Sequence, residues 1–224
     1  MESEKEILDL LNKKSSLKQE IFEITKDIFA DLQEILKEKA IKLDDGITDK
    51  NVSVSYEESG DFDAKLKFSG DTLLFNMHSN IFNFDQAHQV HQTTYVKENN
   101  FRSFCGVINI YNFLSDSLKY NRLNDTGLLV ARLFINKDTH YFVEGDSKIT
   151  SVFKNIFKEK LNKERLQDIV NVVMKYSLDF DLIAPNINDV KVVSVNQILD
   201  VNNKHLIKTS KKMGYKLSHE TNIK

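Results

Sequence analysis

Two stretches of this chain hold side chains whose types and spacing could do chemistry together. In the first, Asp63 and Lys65 share one face of a strand-like run, and His78 follows on the next. A carboxylate that orients an imidazole, with an ammonium nearby to stabilise developing negative charge, is the arrangement of general acid–base catalysis. Asp-x-Lys behind a glutamate-rich helix also fits a metal-dependent hydrolase or nuclease, in which acids hold Mg²⁺ and the lysine steadies the attacking water. Against this, no partner acid stands one strand earlier, and opposite charges on neighbouring strands commonly decorate a solvated face.

The second stretch is residues 101–145. Asn109 stands between Val107 and Tyr111, and Arg132 between Val130 and Phe134, on strands that are otherwise apolar. An arginine withdrawn from water is costly unless it meets a carboxylate, a group of carbonyls or an anionic ligand. With Tyr111, Tyr120 and Arg122, these residues form a candidate site for a small polar or anionic ligand. The competing reading is an internal ion pair of Arg132 with Asp116, Asp125 or Glu144. Glu144 fits least if the hairpin closes at Lys137-Asp138, because that register sets Glu144 opposite Ala131 on the other face.

His88 and His91 are spaced as a metal pair, with His78 and Asp85 as conceivable further ligands, yet a structural zinc site brings cysteines or a second tight pair. These histidines are metal candidates only, and no metal is assigned. Cys105 would need a base and an oxyanion donor to act as a nucleophile; a single cysteine opening an apolar strand reads as core. No P-loop, dinucleotide glycine pattern, GxSxG or HExxH is present, so no cofactor is assigned.

The elements that must position these residues can be read from periodicity. Residues 105–111 and 128–135 are hydrophobic on both alternating faces, as central strands are. Strands are expected at 103–110, 128–136 and 140–144, with a short helix at 115–122 between the first two. Upstream, Val52, Val54 and Tyr56 open a three-stranded meander. A loop at 58–60 would set Tyr56 opposite Phe62, and a turn at Gly70-Asp71 would set Leu66 opposite Phe75 and Asp63 opposite His78. Ser53, Ser55, Asp63, Lys65, Asn76 and His78 then share a polar face. A bend at Ser79-Asn80 leads to a polar connector over 85–100.

Residues 4–41 lack Gly and Pro and carry Ile7, Leu10, Leu17, Ile21, Ile24, Ile28 and Ile35 at alternating steps of three and four, a helical seam interrupted by Lys14. Phe22, Phe29, Leu32 and Leu36 widen the stripe, so the second half packs on the sheet while the first projects to pair with another copy. Ser16 with Gln19 could cap a second helix, which leaves two alternatives, one long continuous helix or two helices broken near Ser15. Ile149 to Phe157 mark one C-terminal helix, and Leu166 to Phe180, capped by Asn162, mark another. Pro185 sits in a loop, residues 191–194 form a last strand, and Ser194 caps a final helix through Val201. The expected class is α+β: a mainly antiparallel sheet of about six strands, a long N-terminal helix (1–41), an α+β domain (42–203) with a C-terminal helical pair, and a basic tail (204–224).

Composition limits the function classes. Of 224 residues 41% are hydrophobic and 29% charged, which is globular, and the formal charge of -2 gives no overall field to attract nucleic acid or an anionic membrane. One cysteine excludes an intrachain disulfide, and the first residues lack a signal-peptide layout. The apolar runs fall short of the roughly 18 residues a membrane span needs. A cytoplasmic binding or sensory domain is expected, taking a small polar or anionic ligand and self-associating through its N-terminal helix. The alternatives are an adaptor that recruits a protein partner through that helix, and a metal-dependent hydrolase using Asp63, Lys65 and His78.

Overall fold

With neither Gly nor Pro between Glu2 and Asp45, nothing in the sequence stops a helix once it starts. In the computed structural model, which describes residues 2–153, 156–182, 184, 186–192, 194 and 195, this stretch is one continuous helical rod. It consists of α1 (Glu2–Leu10), a π turn (Leu11–Ser15) and α2 (Ser16–Gly46). Of the two alternatives, one continuous helix or two helices broken near Ser15, the structure has the first. The wider π turn accommodates the pair of serines instead, and both the amide and the hydroxyl of Ser16 donate to the Leu11 carbonyl. Residues 3–16 are exposed throughout, and burial begins at Leu17.

Six strands follow: β1 (Val54–Glu58), β2 (Asp63–Phe68), β3 (Asp71–Met77), β4 (Cys105–Leu114), β5 (Leu128–Asn136) and β6 (Tyr141–Gly145). They form one antiparallel sheet in which spatial order equals chain order. The chain is α+β, as its patterning implies. The meander registers differ from those expected. The first loop is residues 60–62, with Gly60 left-handed at its start, so Tyr56 faces Leu66 rather than Phe62. The second is residues 69–70, with Ser69 left-handed, so Leu66 faces Leu73 rather than Phe75, and Asp63 faces Asn76 rather than His78.

β5 carries an extra residue. Ile110 pairs with Ala131 and Tyr111 with Leu129, which leaves Val130 as a bulge that turns it into the core together with Leu128 and Ala131. Val130 therefore does not share a face with Arg132.

One face of the sheet is covered by α2 and by α6 (Lys163–Leu178), whose N-terminus is capped by the Asn162 side chain accepting from Arg165 N at 2.8 Å. The two helices lie side by side, with Lys163 bridging to Asp31 and Glu34, and Lys39 donating to Asn171. Phe29, Leu36, Leu66, Phe75, Ile110 and Leu133 fill the core between them and the sheet. Here α2 comes so close to β4 that a Cβ at Gly106 would overlap the Thr25 hydroxyl. The close approach that Gly106 permits is thus to a helix.

The other face is covered at one end by a smaller cluster of Val90, Val96, Cys105, Val107, Phe134, Phe142 and Phe157, and at the other by the segment after β4, where Ser115 meets Thr72 and Gly127 meets Phe113. The connector from β3 to β4 is therefore pinned by buried Val90 and Val96, and it contains α3 (Thr94–Glu98). After α4 (Ser115–Lys119) and the β5–β6 hairpin, the first expected C-terminal helix is a single turn, α5 (Ser147–Thr150). Ile149 belongs to one face and Phe157 to the other, and Phe157 N bonds back to Tyr141 O; one helix could not serve both. A short α7 spans Ile187–Val190. Lys191 and Val192 are not in a strand, while Pro185, the stretch assigned to a final helix beyond Val195 and the basic tail lie outside the described residues.

Candidate functional site

Alternation along the strands sends two rungs of side chains, each across five of the six strands, to the half of the sheet that no helix covers. One rung is Glu57, Lys65, Leu74, Tyr111 and Leu129. The next is Asp63, Asn76, Asn109, Arg132 and Glu144. In the second rung the outer members pair off: Asn76 Nδ2 donates to Asp63 Oδ1 at 2.6 Å, and Arg132 donates to Glu144. Asn109, in the middle, makes no side-chain hydrogen bond among the described residues. Leu129 is 42% exposed and Leu74 and Tyr111 are half-buried, so an apolar strip lies beside the polar one.

Arg132 is not buried. Its side chain is 46% exposed, its guanidinium lies over the Phe134 ring at 5.2 Å, and its partner is the carboxylate that the hairpin reading sets on the opposite face. The hairpin loop has three residues, 137–139, with Thr139 left-handed. Adding one residue to a turn moves the whole partner strand by one and exchanges its faces.

Of the five ligand candidates, the structure brings Asn109 and Arg132 side by side and places Tyr111 one rung away. Tyr120 and Arg122 form their own group after α4. There Arg122 stands 5.6 Å from the Tyr120 ring and 3.8 Å from Asp125, which accepts from Ser117 Oγ at 2.6 Å. This segment lies against the same open face: the Ser115 hydroxyl shares a hydrogen bond with the Thr72 hydroxyl, and Gly127 abuts the Phe113 ring.

The catalytic candidates part company. Asp63 is held by Asn76, and Lys65 is bound across the strands to Glu57 at 2.7 Å. His78 Nδ1 accepts from Asn80 N, and its ring meets Phe82 edge-on at 4.7 Å. The metal candidates are equally occupied. His88 Nδ1 accepts from Val90 N, its ring stacks on Phe84, and Nε2 lies 3.5 Å from Glu144; His91 Nε2 contacts Phe84 O at 3.2 Å. Among the described residues no group of three or more His, Cys, Asp or Glu side chains is arranged to hold a metal ion. Cys105 is fully buried, and burial pushes its thiol well above the ordinary range, which removes the thiolate a nucleophile needs.

The densest polar cluster lies outside every candidate group named so far. Arg102 lies 4.2 Å over the Tyr95 ring, which stacks in turn on His140 at 4.6 Å. Tyr95 OH donates to Asp138 Oδ2 at 2.6 Å, and Arg102 Nε donates to the same oxygen at 3.2 Å. Fully buried Asn136 donates to Tyr95 OH and to Arg102 O, and accepts from the amides of Asp138 and His140. A three-residue turn without glycine needs such side-chain support, and the missing glycine was the available signal. Each of these groups is matched within the chain, so the cluster acts as a clamp between connector and hairpin.

Burial, reinforced by the bond to Asp138, pushes the Tyr95 hydroxyl up to about 12. Burial opposes ionisation of Asp138, but bonds from Tyr95 and Lys137 and the charges of Lys137 and Arg102 outweigh it and hold this carboxyl below its usual range. A raised tyrosine pKa stabilises the fold below the unfolded value and loses that contribution as pH rises through the folded one. Stability is therefore expected to fall between pH about 10 and about 12. Tyr95→Phe should flatten that decline in chemical denaturation series, and an unchanged slope would remove Tyr95 as its source.

Among the described residues no helix is long and apolar enough to cross a membrane. Set beside known proteins, the chain matches no family model, no curated protein and no solved structure.

Proposed function

We propose that this chain is a non-enzymatic interaction module that works through its projecting N-terminal helix. The observation that carries this reading is the state of α1. Ile7, Leu8, Leu10 and Leu11 are between 51% and 59% exposed on a helix that runs straight on into the core. Isolated helices of this length are marginal in water, and four large apolar side chains on two turns make a surface suited to a partner. The open sheet face, with Leu74, Tyr111 and Leu129 beside the polar rung, offers a second contact region.

Glu144 supplies Arg132 with an anion, which removes one support of the small-ligand reading. The hydrolase reading loses its support with the separation of Asp63 from His78. In lysate of the native host, the chain is expected to elute in an assembly larger than its own 25.9 kDa. Ile7→Asp with Leu10→Asp should shift it to smaller size without lowering its melting temperature, because neither residue packs in the core. Identical elution of the two forms would defeat the interaction reading.

A further inference from the structure

The charges flanking the exposed stripe single out one partner and one orientation. Residues 2–9 carry Glu2, Glu4, Glu6 and Asp9 against Lys5, a net of -3 (four acids less one base). Residues 10–18 carry Lys13, Lys14 and Lys18 and no acid, a net of +3. A helix dipole accounts for acids near the N-terminus, since they face its positive end. It does not account for the lysines, which stand far from the C-terminus of a rod that ends at Gly46. Nor does it account for four apolar side chains left in water between the two blocks.

We propose that the N-terminal helices of two copies of this chain pair antiparallel, an inference that rests on the interaction reading above and names its partner. A two-fold axis beside Asp9 sets Ile7 of one copy against Leu11 of the other, and Leu8 against Leu10. The same operation sets Glu4 of each copy level with Lys14 of the other and Glu2 and Glu6 level with the uncharged Ser16 and Asn12; a parallel pair would stack -3 on -3 and +3 on +3. Lys13 falls level with Lys5 and Asp9 level with its counterpart, but these two are tied to each other within each helix at 2.9 Å, and Lys18 lies beyond the overlap. Opposed charges choose orientation more than they add affinity, and like charges brought face to face are penalised. The axis falls within residues 3–16, all of them exposed, of which Lys14 reaches the body with its Nζ 5.8 Å from the Phe104 ring, so the globular parts are carried to opposite ends. About 15 residues of helix span roughly 22 Å. An interface of that size lies at the small end of specific contacts, so the pair is concentration-dependent.

The test uses purified full-length chain. Sedimentation is expected to show a monomer–dimer equilibrium that weakens with salt and is abolished by Ile7→Asp with Leu10→Asp. Under mild oxidation Leu10→Cys, close to the axis, should form a disulfide-linked dimer by itself. Glu4→Cys should do so only when mixed with Lys14→Cys. Cys105 does not interfere, being buried, and unchanged melting temperatures verify that each variant folds. A monomer at every concentration up to about 100 μM overturns the inference; if the host assembly still depends on Ile7 and Leu10, the interaction reading survives with a different partner. Self-linking of Glu4→Cys as fast as Leu10→Cys overturns the antiparallel orientation.

Discussion

Gly106→Ala is expected to cost the fold about 3 kcal/mol, the upper end of what one forced methyl group costs in a packed interior. The new Cβ would overlap Thr25 Oγ1 and stand 2.8 Å from Thr25 Cβ and 2.9 Å from Thr25 Cγ2. Thr25 has little room to yield. It is fully buried, and its hydroxyl donates to Ile21 O at 2.7 Å. Nor can the helix easily withdraw, because Leu17 and Ile21 on one side and Phe29 on the other are buried along the same rod. In a denaturant double-mutant cycle, Thr25→Ala should recover part of the loss, since it removes two of the three clashing atoms and the two sites touch. A loss below about 1 kcal/mol would mean that α2 can lift from β4, and that this contact does not fix the helix on the sheet.

Asn112→Leu should act in the opposite direction and raise stability by about 2 kcal/mol, within the range for removing an unmatched polar group from a core. Asn112 is on the helix-covered face of β4, between Leu73 and Leu128 in register, and is 1% exposed. Neither its amide nitrogen nor its oxygen has a hydrogen-bond partner. Leucine has nearly the same reach and leaves nothing unmatched. A destabilised Asn112→Leu protein would show that this amide is bonded in solution, with a partner supplied from beneath β4. A second polar group of the same kind, Ser177 Oγ on α6, is buried without a partner.

The parts of the fold legible in the sequence were those set by periodicity: the Gly- and Pro-free rod, the β5 boundaries and the Asn162 cap. What escaped was phase. Loop lengths in the meander were legible, but Ser69 adopts a left-handed backbone that favours glycine. Gly60 opens its loop, where the expected turn has it last. Those displacements shifted the registers by an even number of residues, Tyr56 to Leu66 instead of Phe62 and Leu66 to Leu73 instead of Phe75. Each side chain kept its expected face, and the polar face of the meander could be foreseen. The β5–β6 turn differs by one residue, so Glu144 changed faces and met Arg132. The Val130 bulge did the same within one strand. An odd error inverts a surface while an even one only slides it, and that is why the polar rung from Asp63 to Glu144 was visible as residues but not as a row.

The one-after-another order of the strands also governs how this chain can be made. Each strand's partner is its neighbour in sequence, so most pairings close short loops and the sheet can grow by accretion, a topology associated with rapid folding. The long helix is the exception. It leaves the ribosome before the sheet does, and its seat at Gly106 is synthesised only after the whole meander and its connector, long after the rod has ended at Gly46. Through that interval most of its apolar stripe, from Leu17 to Ala40, waits for the strands that will cover it, and nascent chains in that condition are the ones chaperones intercept.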